Sequence, residues 1–329
     1  MRHSGRLSTL VVLLLALTAT GVWAQDEAVT LRYKFVPGQT AELAMKGTGT
    51  MPMSITPGPE AGGANMAFDI IMDMTMDMMQ KTASVDAQGG HFEQTMPCMT
   101  IRTTMQVMGQ PTEVVVSWKD GAVCTTVNGQ VQPLDENMKK MQQMLSQTMK
   151  MTMDPLGKTT PDPETAKAMA AMFNPSGLGG VDFGKLGALT SALPEQAVKV
   201  GDTWELKDEA KLGEATMTGA STMKLAGFEV VEGRRMAKIE GQARLTAQGQ
   251  MPGGAAMGMP VNVNITSLDV ALAFVNHFDI EAGVVAVSEM NLCQNMQMML
   301  TVPAAMAGQE MHIPASIENA QMTMETRRK

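Results

Sequence analysis

The stretch Phe68–Met78 has the sequence FDIIMDMTMDM. Its even-numbered positions are all apolar, whereas Asp69, Asp73 and Asp77 lie at odd-numbered positions. Alternation with a period of two places successive side chains on opposite faces of a β-strand. We therefore predict a long strand with one methionine-rich apolar face and one face in water, and a mainly β fold built around it.

The methionine content sets this chain apart. Of its 329 residues 36 are Met, whereas aromatic residues make up only 4%. Apolar residues contribute 44% and charged residues 18%, which is typical of a folded domain. The simplest interpretation is that Met replaces Leu and Ile as core filler, a change that usually costs less than about 1.5 kcal/mol per site.

Residues 1–24 are typical of a signal peptide. Arg2 and Arg6 precede an apolar run from Leu7 to Ala19, and Val22-Trp23-Ala24 supplies small residues suited to cleavage after Ala24. The run is shorter than the ~20 apolar residues of a membrane span, and no Cys follows the cleavage site to accept a lipid. We expect a soluble exported protein, periplasmic or extracellular, that is not a lipoprotein and has no transmembrane segment after cleavage.

The net charge narrows the class of partners. The chain has a formal charge of −8 at pH 7, and loss of the signal peptide removes Arg2 and Arg6 but no acidic residue. A negative surface repels phosphate backbones and anionic lipid surfaces. We therefore expect no nucleic acid partner.

Other segments show the same alternation. Leu31, Tyr33 and Phe35 predict a strand that ends at Pro37-Gly38. Asp120-Gly121 and Asn128-Gly129 are typical two-residue hairpin turns. Further strands are predicted over residues 41–46, 91–108, 113–118, 122–127, 215–225, 228–231, 237–247 and 261–276, and a return strand follows the turn near 279–283 and runs through Cys293 to Met299.

The spacing of the apolar residues changes at Pro133 from the two-residue period of a strand to that of a helix. Apolar residues three or four positions apart predict an amphipathic helix from Asp135 to Met153. A second helix, rich in Ala and Met, is predicted over residues 163–173, before a Gly-rich segment. This organisation divides the chain into a signal peptide (1–24), an N-terminal β region (25–132), a helical and Gly/Pro-rich insertion (133–190) and a C-terminal β region (191–329).

Three landmarks recur at nearly the same distance along the chain. They are the pairs Gly62 and Gly253, Gly90 and Gly283, and Cys98 and Cys293. Such repetition suggests an internal duplication, although two long hairpins with similar loops would look the same. The predicted fold is mainly β, with two antiparallel regions, duplicated or not, that form a curved or half-barrel-like sheet around a central α-helical insertion.

Three stretches carry a resemblance to a known group of proteins. These are Leu31–Gln39 (LRYKFVPGQ), Pro194–Trp204 (PEQAVKVGDTW) and Phe278–Val285 (FDIEAGVV). They resemble landmarks of an uncharacterised family of exported bacterial β-rich proteins, a domain of unknown function. The resemblance implies an envelope location and an antiparallel fold, and it implies no activity and no catalytic residues.

Recognisable catalytic motifs are missing from the sequence. It has no His-Glu-x-x-His, no Gly-x-Ser-x-Gly, no P-loop and no dinucleotide fingerprint. Ser221 and Lys224 match Ser-x-x-Lys, but a strand would direct them to opposite faces. His91 and His277 each have an acidic residue two positions later, which suits acid/base chemistry or simply a polar turn. We predict no enzyme, unless the fold brings the two histidines together.

The cysteines leave their chemistry open. Cys98, Cys124 and Cys293 form neither a Cys-x-x-Cys motif nor a Cys/His pair at zinc spacing. In an exported protein they allow one disulfide and one thiol, or three buried thiols.

The methionine strand and helix are candidates for an apolar binding groove. Met is unbranched and polarizable, so it adapts to ligands of different shape. The groove candidates are Met72, Met74, Met76, Met78, Met138 and Met141. The alternative is that the same residues form a closed core.

Methionine also supports two other interpretations. Thioethers are soft ligands that suit Cu(I), and Met residues two apart share a face of a strand. The candidate copper ligands are Met96, Cys98, Met99, Met296, Met298, Met311 and His312. Exposed Met could instead buffer oxidants, because its sulfoxide is reversible.

The sequence therefore favours an exported envelope protein that binds or has a structural role rather than catalyses. We expect a lipophilic ligand or an envelope protein as its partner, and no cofactor. Copper binding or oxidant buffering by the Met clusters is the alternative.

Overall fold

The computed structural model describes residues 27–56, 65–107, 110–134, 136–166, 183–212, 215–254, 261–302 and 311–329. The predicted signal peptide, most of the predicted second helix and the loop glycines Gly62 and Gly63 lie outside these ranges. The N-terminal strands are β1 Thr40–Ile55, β2 Met66–Asp86, β3 Gly89–Val107, β4 Gln110–Lys119, β5 Ala122–Val127 and β6 Gln130–Gln132. The central elements are helix α1 Glu136–Leu145, β7 Met149–Met153, β8 Thr159–Pro161 and helix α2 Phe183–Ser191. The C-terminal strands are β9 Thr203–Leu212, β10 Ala215–Val231, β11 Arg234–Gly254, β12 Val261–Asp279, β13 Val284–Val302 and β14 Met311–Arg328.

One antiparallel sheet contains all of these strands. Its main path is β6-β5-β4-β3-β2-β1-β14-β13-β12-β11-β10-β9, and β7 joins β3 and β8 beside this path. The pairing of β1 with β14 connects the two halves of the chain, for example at Gly47 and Met324. The sheet is open, with β6 and β9 as its terminal strands. The two predicted β regions are therefore parts of a single sheet.

The alternation of β2 is continued by its neighbours. Residues directly opposite each other in antiparallel strands point to the same face. Met76 lies opposite Met45 of β1 and Met99 of β3, and Met74 lies opposite Gly47. We call the face that carries these residues the inner face. The opposite, outer face of β2 carries Asp69, Asp73 and Asp77, all exposed.

A large core covers the inner face of the C-terminal strands. Leu189 of α2 is fully buried and lies against Gly219, where a Cβ atom would come within 2.5 Å of the Leu189 Cδ1. Leu31, Leu225 and Phe278 of the same core are also fully buried. Helix α2 and the segment around Leu31 thus close this part of the sheet against water.

A smaller core covers the N-terminal strands. Leu145 of α1 packs with the buried Met99, Trp118 and Val123. Trp118 Nε1 donates a hydrogen bond to the Met96 carbonyl at 2.5 Å, which satisfies its polar group inside the core. This core and the C-terminal core are separate clusters.

The segment Val29–Gly38 crosses from one half of the sheet to the other. Its Val29 forms a β-bridge with Val198, and its Gly38 N–H donates to the Thr82 carbonyl. Leu31, Tyr33 and Phe35 alternate as predicted, but the predicted strand is wrong. The Tyr33 and Lys34 N–H groups donate to the single carbonyls of Pro155 and Gly283, so no ladder forms.

The predicted central helical insertion is also wrong. Helix α1 ends at Leu145 rather than at Met153, and Met149–Met153 form strand β7, which pairs with β3 between Gly90 and Gln94. The sequence MKMTM has the two-residue period of a strand, and the free side of β3 offers it backbone partners. Part of the predicted insertion therefore belongs to the sheet.

Several turns have the predicted form. Asp120 and Gly121, and likewise Asn128 and Gly129, have positive φ at both positions. Two such residues in succession are typical of the type I′ turn that joins antiparallel strands. The turn glycines Gly90 and Gly283 each lie at the start of a long hairpin's return, in or just before β3 and β13. Internal duplication remains a prediction.

Candidate functional site

The inner face of the four central strands is the candidate site. Strands β2, β1, β14 and β13 lie side by side between the two cores. We call their inner-face residues the Met face. Its half-buried methionines are Met45, Met51, Met53, Met72, Met74, Met76, Met290, Met296, Met298, Met322 and Met324.

Charge is segregated between the two faces of these strands. The other members of the Met face between β2 and β13 include Phe68, Ile70, Leu292 and Ile317, with Gln294 as a polar member. Arg328, opposite Leu43 at the end of β14, is ionisable, whereas none of the residues named along the rest of this face is. The acidic side chains of β2 all lie on its outer face. A contiguous uncharged surface that is only half-buried is the property expected of a site for an apolar molecule.

Two glycines form a trough in the middle of the Met face. A Cβ atom on Gly47 would lie 3.3 Å from the Met324 Cγ and 3.5 Å from the Met74 Cε, so both side chains lean over this glycine. A Cβ atom on Gly49 would lie 2.8 Å from the Gln321 carbonyl oxygen. Any side chain there would therefore collide with backbone.

The trough is lined by thioethers on both sides. Gly47 lies between Met74 and Met324, and Gly49 lies between Met72 and Met322. The cavity beside it is small, about 30 Å³, and its walls include Gly49, Met72 and Met322. The flexible methionine side chains themselves fill the space, so an incoming ligand would have to displace them.

The six groove candidates are divided between two environments. Met76, Met138 and Met141 pack together on the N-terminal core, where α1 covers the sheet. Met78 is partly buried, and its sulfur accepts a hydrogen bond from the Gln94 amide at 2.9 Å. Met72 and Met74 lie farther along β2, outside that core and beside the trough. Helix α1 therefore seals only one end of the methionine strand.

The candidate copper ligands are not brought together as complete sets. Met99 is buried on the inner face, but Cys98 lies opposite Lys119 and points to the other face. Met311 and His312 also alternate, and the exposed His312 lies 3.1 Å from the Thr301 hydroxyl. Met96 packs on the N-terminal core. Met296 and Met298 share the inner face of β13, and Met298 packs on the C-terminal core.

Within the described ranges, no group of three or more His, Cys, Asp or Glu side chains is arranged to hold a metal ion. Cys98, Cys124 and Cys293 are all free thiols. Cys98 and Cys293 are partly buried, and Cys124 is exposed.

The two histidines singled out by the sequence lie in different halves of the sheet. His91 is on β3 and His277 on β12, with β2, β1, β14 and β13 between them. Adjacent strands are about 4.8 Å apart, so the pairing of the strands keeps the two imidazoles separate. The structure does not bring them into one acid/base site.

Each histidine has local partners instead. His91 Nε2 lies 2.8 Å from an Asp86 carboxylate oxygen, and its Nδ1 lies 3.0 Å from the Thr152 hydroxyl. The hydrogen bond from His91, together with one from the Gln88 N–H, lowers the pKa of Asp86 below its ordinary value. These contacts fasten the β2–β3 turn to β7. His277 Nδ1 lies 3.6 Å from a Glu229 carboxylate oxygen.

A large cavity lies away from the Met face. It has a volume of about 1070 Å³ and runs between β9 and the segment that follows α2. The sequence pattern does not predict it, because its walls come from three separate parts of the chain. The signal that could have pointed to it is the charged strand β9, whose acidic and basic side chains are typical of a sheet edge.

Comparisons with known proteins do not assign a family. No family model matches the sequence, and no curated protein is significantly similar to it. An outer membrane channel from Pseudomonas putida F1 is a structural neighbour at 8% identity and a TM-score of 0.23, covering 90% of this chain and 97% of the channel. This likeness is too low to support an argument about fold or function. No helix within the described ranges has the length and apolarity needed to cross a membrane. The resemblance to exported bacterial β-rich proteins remains a prediction.

Proposed function

We propose that this protein is an exported binding protein that takes up a lipophilic molecule with a flexible apolar chain on its Met face. The observation that carries the proposal is the continuous, uncharged and half-buried methionine surface on β2, β1, β14 and β13. It lies between two separate cores and is covered by neither helix at the trough.

The chemistry of methionine favours a flexible apolar ligand over a rigid one. Met has three rotatable side-chain bonds and a polarizable sulfur, so a row of Met side chains can repack around chains of different shape. Each methylene group removed from water contributes about 0.8 kcal/mol. Because the free cavity at Gly49 is only about 30 Å³, binding would depend on the movement of Met72 and Met322.

The trough also suits an elongated ligand. Gly47 and Gly49 leave a low floor between two pairs of methionines, and that floor follows the direction of β1. An acyl chain lying along β1 would contact Met72 and Met74 on one side and Met322 and Met324 on the other. The outer face, on which Asp69, Asp73 and Asp77 of β2 are exposed, would keep the complex soluble.

Binding of dansyl-undecanoic acid tests this proposal. We expect micromolar binding by the purified protein, with a blue-shifted dansyl emission. The double variant Met72→Gln with Met322→Gln should bind at least tenfold more weakly, because amide groups in the trough would lose hydration on binding. Met79→Gln is the matched control, since Met79 is on the same strand but 38% exposed. The proposal would be overturned if the double variant and the Met79→Gln control bound the probe equally well, or if the unmodified protein did not bind it.

One observation favours a second function, the binding of Cu(I). The thioethers of Met72, Met74, Met322 and Met324 surround Gly47 and Gly49 from two sides, and thioethers are ligands that Cu(I) prefers. This set differs from the seven candidates taken from the sequence. Native mass spectrometry with Ag(I), a stable analogue of Cu(I), distinguishes the two functions. One bound ion that is lost in Met74→Leu with Met324→Leu supports metal binding, because those changes retain the apolar surface.

A further inference from the structure

The cavity beside β9 has the form of a groove along one edge of the sheet. Every residue from Gly201 to Asp208 lines it. Successive side chains of a strand point to opposite faces, so a cavity on one face would be lined by alternate residues only. A continuous run of lining residues means that the backbone edge of β9 itself borders the groove.

This edge has backbone groups available for pairing. Strand β9 pairs with β10 on one side and is the terminal strand of the main path on the other. Among the described residues, no strand pairs with its outer side. An unpaired strand edge offers a row of N–H and C=O groups that another extended chain can complete.

The opposite wall is a preformed part of the fold. Residues 192–198 line the groove, and Leu193 N–H donates to the Leu156 carbonyl at 2.8 Å. Trp204 Nε1 donates to the Ala192 carbonyl at 3.0 Å, which ties this wall to β9. Val198 is held by its two hydrogen bonds with Val29, of 2.8 and 2.9 Å. A ligand would therefore meet a groove whose two walls are already in position.

The side chains along β9 alternate in character. Trp204 and Leu206 point toward the C-terminal core, against which they pack. Thr203, Glu205 and Lys207 point to the other face and are exposed. An added strand with apolar and polar side chains in alternation would match both faces.

The charge of the groove is negative. Its acidic lining residues are Asp154, Glu195, Asp202, Glu205 and Asp208, whereas its basic ones are Lys158 and Lys207. The oxygens of Asp154 and Asp202 accept backbone hydrogen bonds, which leaves their negative charge in place. A cationic ligand is therefore complementary.

We propose that this groove binds an extended basic segment of a partner protein, which adds to β9 as a further antiparallel or parallel strand. The part of β9 that lines the groove, Thr203–Asp208, is about 20 Å long at ~3.3 Å per residue, which suits a segment of six to eight residues. The site is distinct from the Met face and does not depend on lipid binding.

Fluorescence anisotropy with a labelled peptide of alternating Lys and Val, eight residues long, tests the proposal. We expect micromolar binding at low salt, and at least tenfold weaker binding of the matching Glu/Val peptide. A third peptide has the Lys/Val sequence but is N-methylated at alternate residues along one edge. It distinguishes the addition of a strand to β9 from simple attraction between charges. It keeps every charge but loses the N–H groups that would pair with β9, so it should also bind at least tenfold more weakly.

Variants of the protein locate the site. Glu195→Lys with Glu205→Lys should weaken binding of the Lys/Val peptide at least fivefold, whereas Glu318→Lys, at an exposed position on β14, should leave it unchanged. Equal binding of the N-methylated peptide, or an equal effect of Glu318→Lys, would show that only surface charge is sensed and would overturn the proposal. Dimerisation through β9 without peptide binding, measured by sedimentation, would overturn it as well.

Discussion

The rings of Tyr33 and Phe278 meet edge to face, with their centroids 5.4 Å apart and an interplanar angle of 88°. Tyr33 belongs to the crossing segment Val29–Gly38, and Phe278 is fully buried near the end of β12. The Tyr33 hydroxyl donates to the carbonyl of Ser191, the last residue of α2, at 3.2 Å. One side chain thus joins the N-terminal segment, the helix and the sheet.

The ionisation of Tyr33 should depend on folding. Its side chain is partly exposed, its hydroxyl is hydrogen-bonded to Ser191, and burial raises its pKa. A raised pKa means that the folded state retains the proton longer, so stability is full below the unfolded value of about 10 and falls as the pH rises above it. Tyr33 is the single Tyr of the chain, so phenolate absorbance near 295 nm reports on this residue alone.

We expect no phenolate absorbance in the native protein at pH 11 and full absorbance in concentrated urea at the same pH. At pH 8 the free energy of unfolding of the Tyr33→Phe variant should be about 1 kcal/mol lower than that of the native protein, because the hydrogen bond is absent. Between pH 9 and 11 the free energy of unfolding should fall less in the variant than in the native protein. Native titration near pH 10 would contradict this account of the environment of Tyr33.

The buried carboxylate of Asp279 should be a major source of stability. Its side chain is 1% exposed, accepts a hydrogen bond from the Ala282 N–H at 2.8 Å and pairs with Arg234 at 2.9 Å. Removing one member of a buried pair usually costs about 3–5 kcal/mol, and the half-exposed Arg234 places this pair at the lower end. Urea denaturation should show that Asp279→Ala lowers the free energy of unfolding by about 3 kcal/mol. Glu232→Ala is the control, because its 3.8 Å contact with Arg234 involves a 79% exposed side chain and should contribute less than about 0.5 kcal/mol.

The close approach of α2 to the sheet should require a glycine. A Cβ atom on Gly219 would come within 2.5 Å of the Leu189 Cδ1, so Gly219→Ala should displace the helix and cost about 1–3 kcal/mol. Gly227, on the same strand, has open space where a Cβ atom would be, and Gly227→Ala should be nearly neutral. Thermal unfolding of both variants compares the two sites. Equal melting temperatures would mean that Leu189 moves aside without cost.

The rates at which methionines are oxidised should differ between exposed, half-buried and buried positions. Met66 and Met79 are 52% and 38% exposed, whereas Met223 and Met236 are both 1% exposed. Under dilute peroxide, peptide mass spectrometry should find the first pair oxidised well before the second, with Met72, Met74 and Met322 at intermediate rates. A saturating lipophilic probe should slow only the intermediate group. Uniform slowing of all sites would speak against binding on the Met face.

Much of the local structure could be predicted from the chain alone. The strand at Phe68–Met78, the hairpin turns at Asp120-Gly121 and Asn128-Gly129 and an amphipathic helix after Pro133 are all observed. Each depends on interactions within a few residues, such as side-chain alternation or positive φ. The strand expected at Leu31–Phe35 does not form, because strand formation also requires a partner along the whole segment.

The candidate site was predictable only in part. Alternation identified Met72 and Met74 as one face of a strand, and helical spacing identified Met138 and Met141. These local patterns could not show that α1 would cover Met76 and leave Met72 uncovered, since this depends on where the helix packs. The partners of Met72 and Met74 across the trough, Met322 and Met324, come from the far end of the chain.

Sequence by itself determined which side chains share a face, because a β-strand has a period of two wherever it forms. Only the tertiary structure decided which strands are neighbours. The pairing of β1 with β14 places Gly47 and Gly49 between methionines from both ends of the chain, and long-range pairing of this kind has no local signature. The order of the strands also leaves β9 at an edge of the sheet, where its backbone borders a large groove whose opposite wall comes from other parts of the chain.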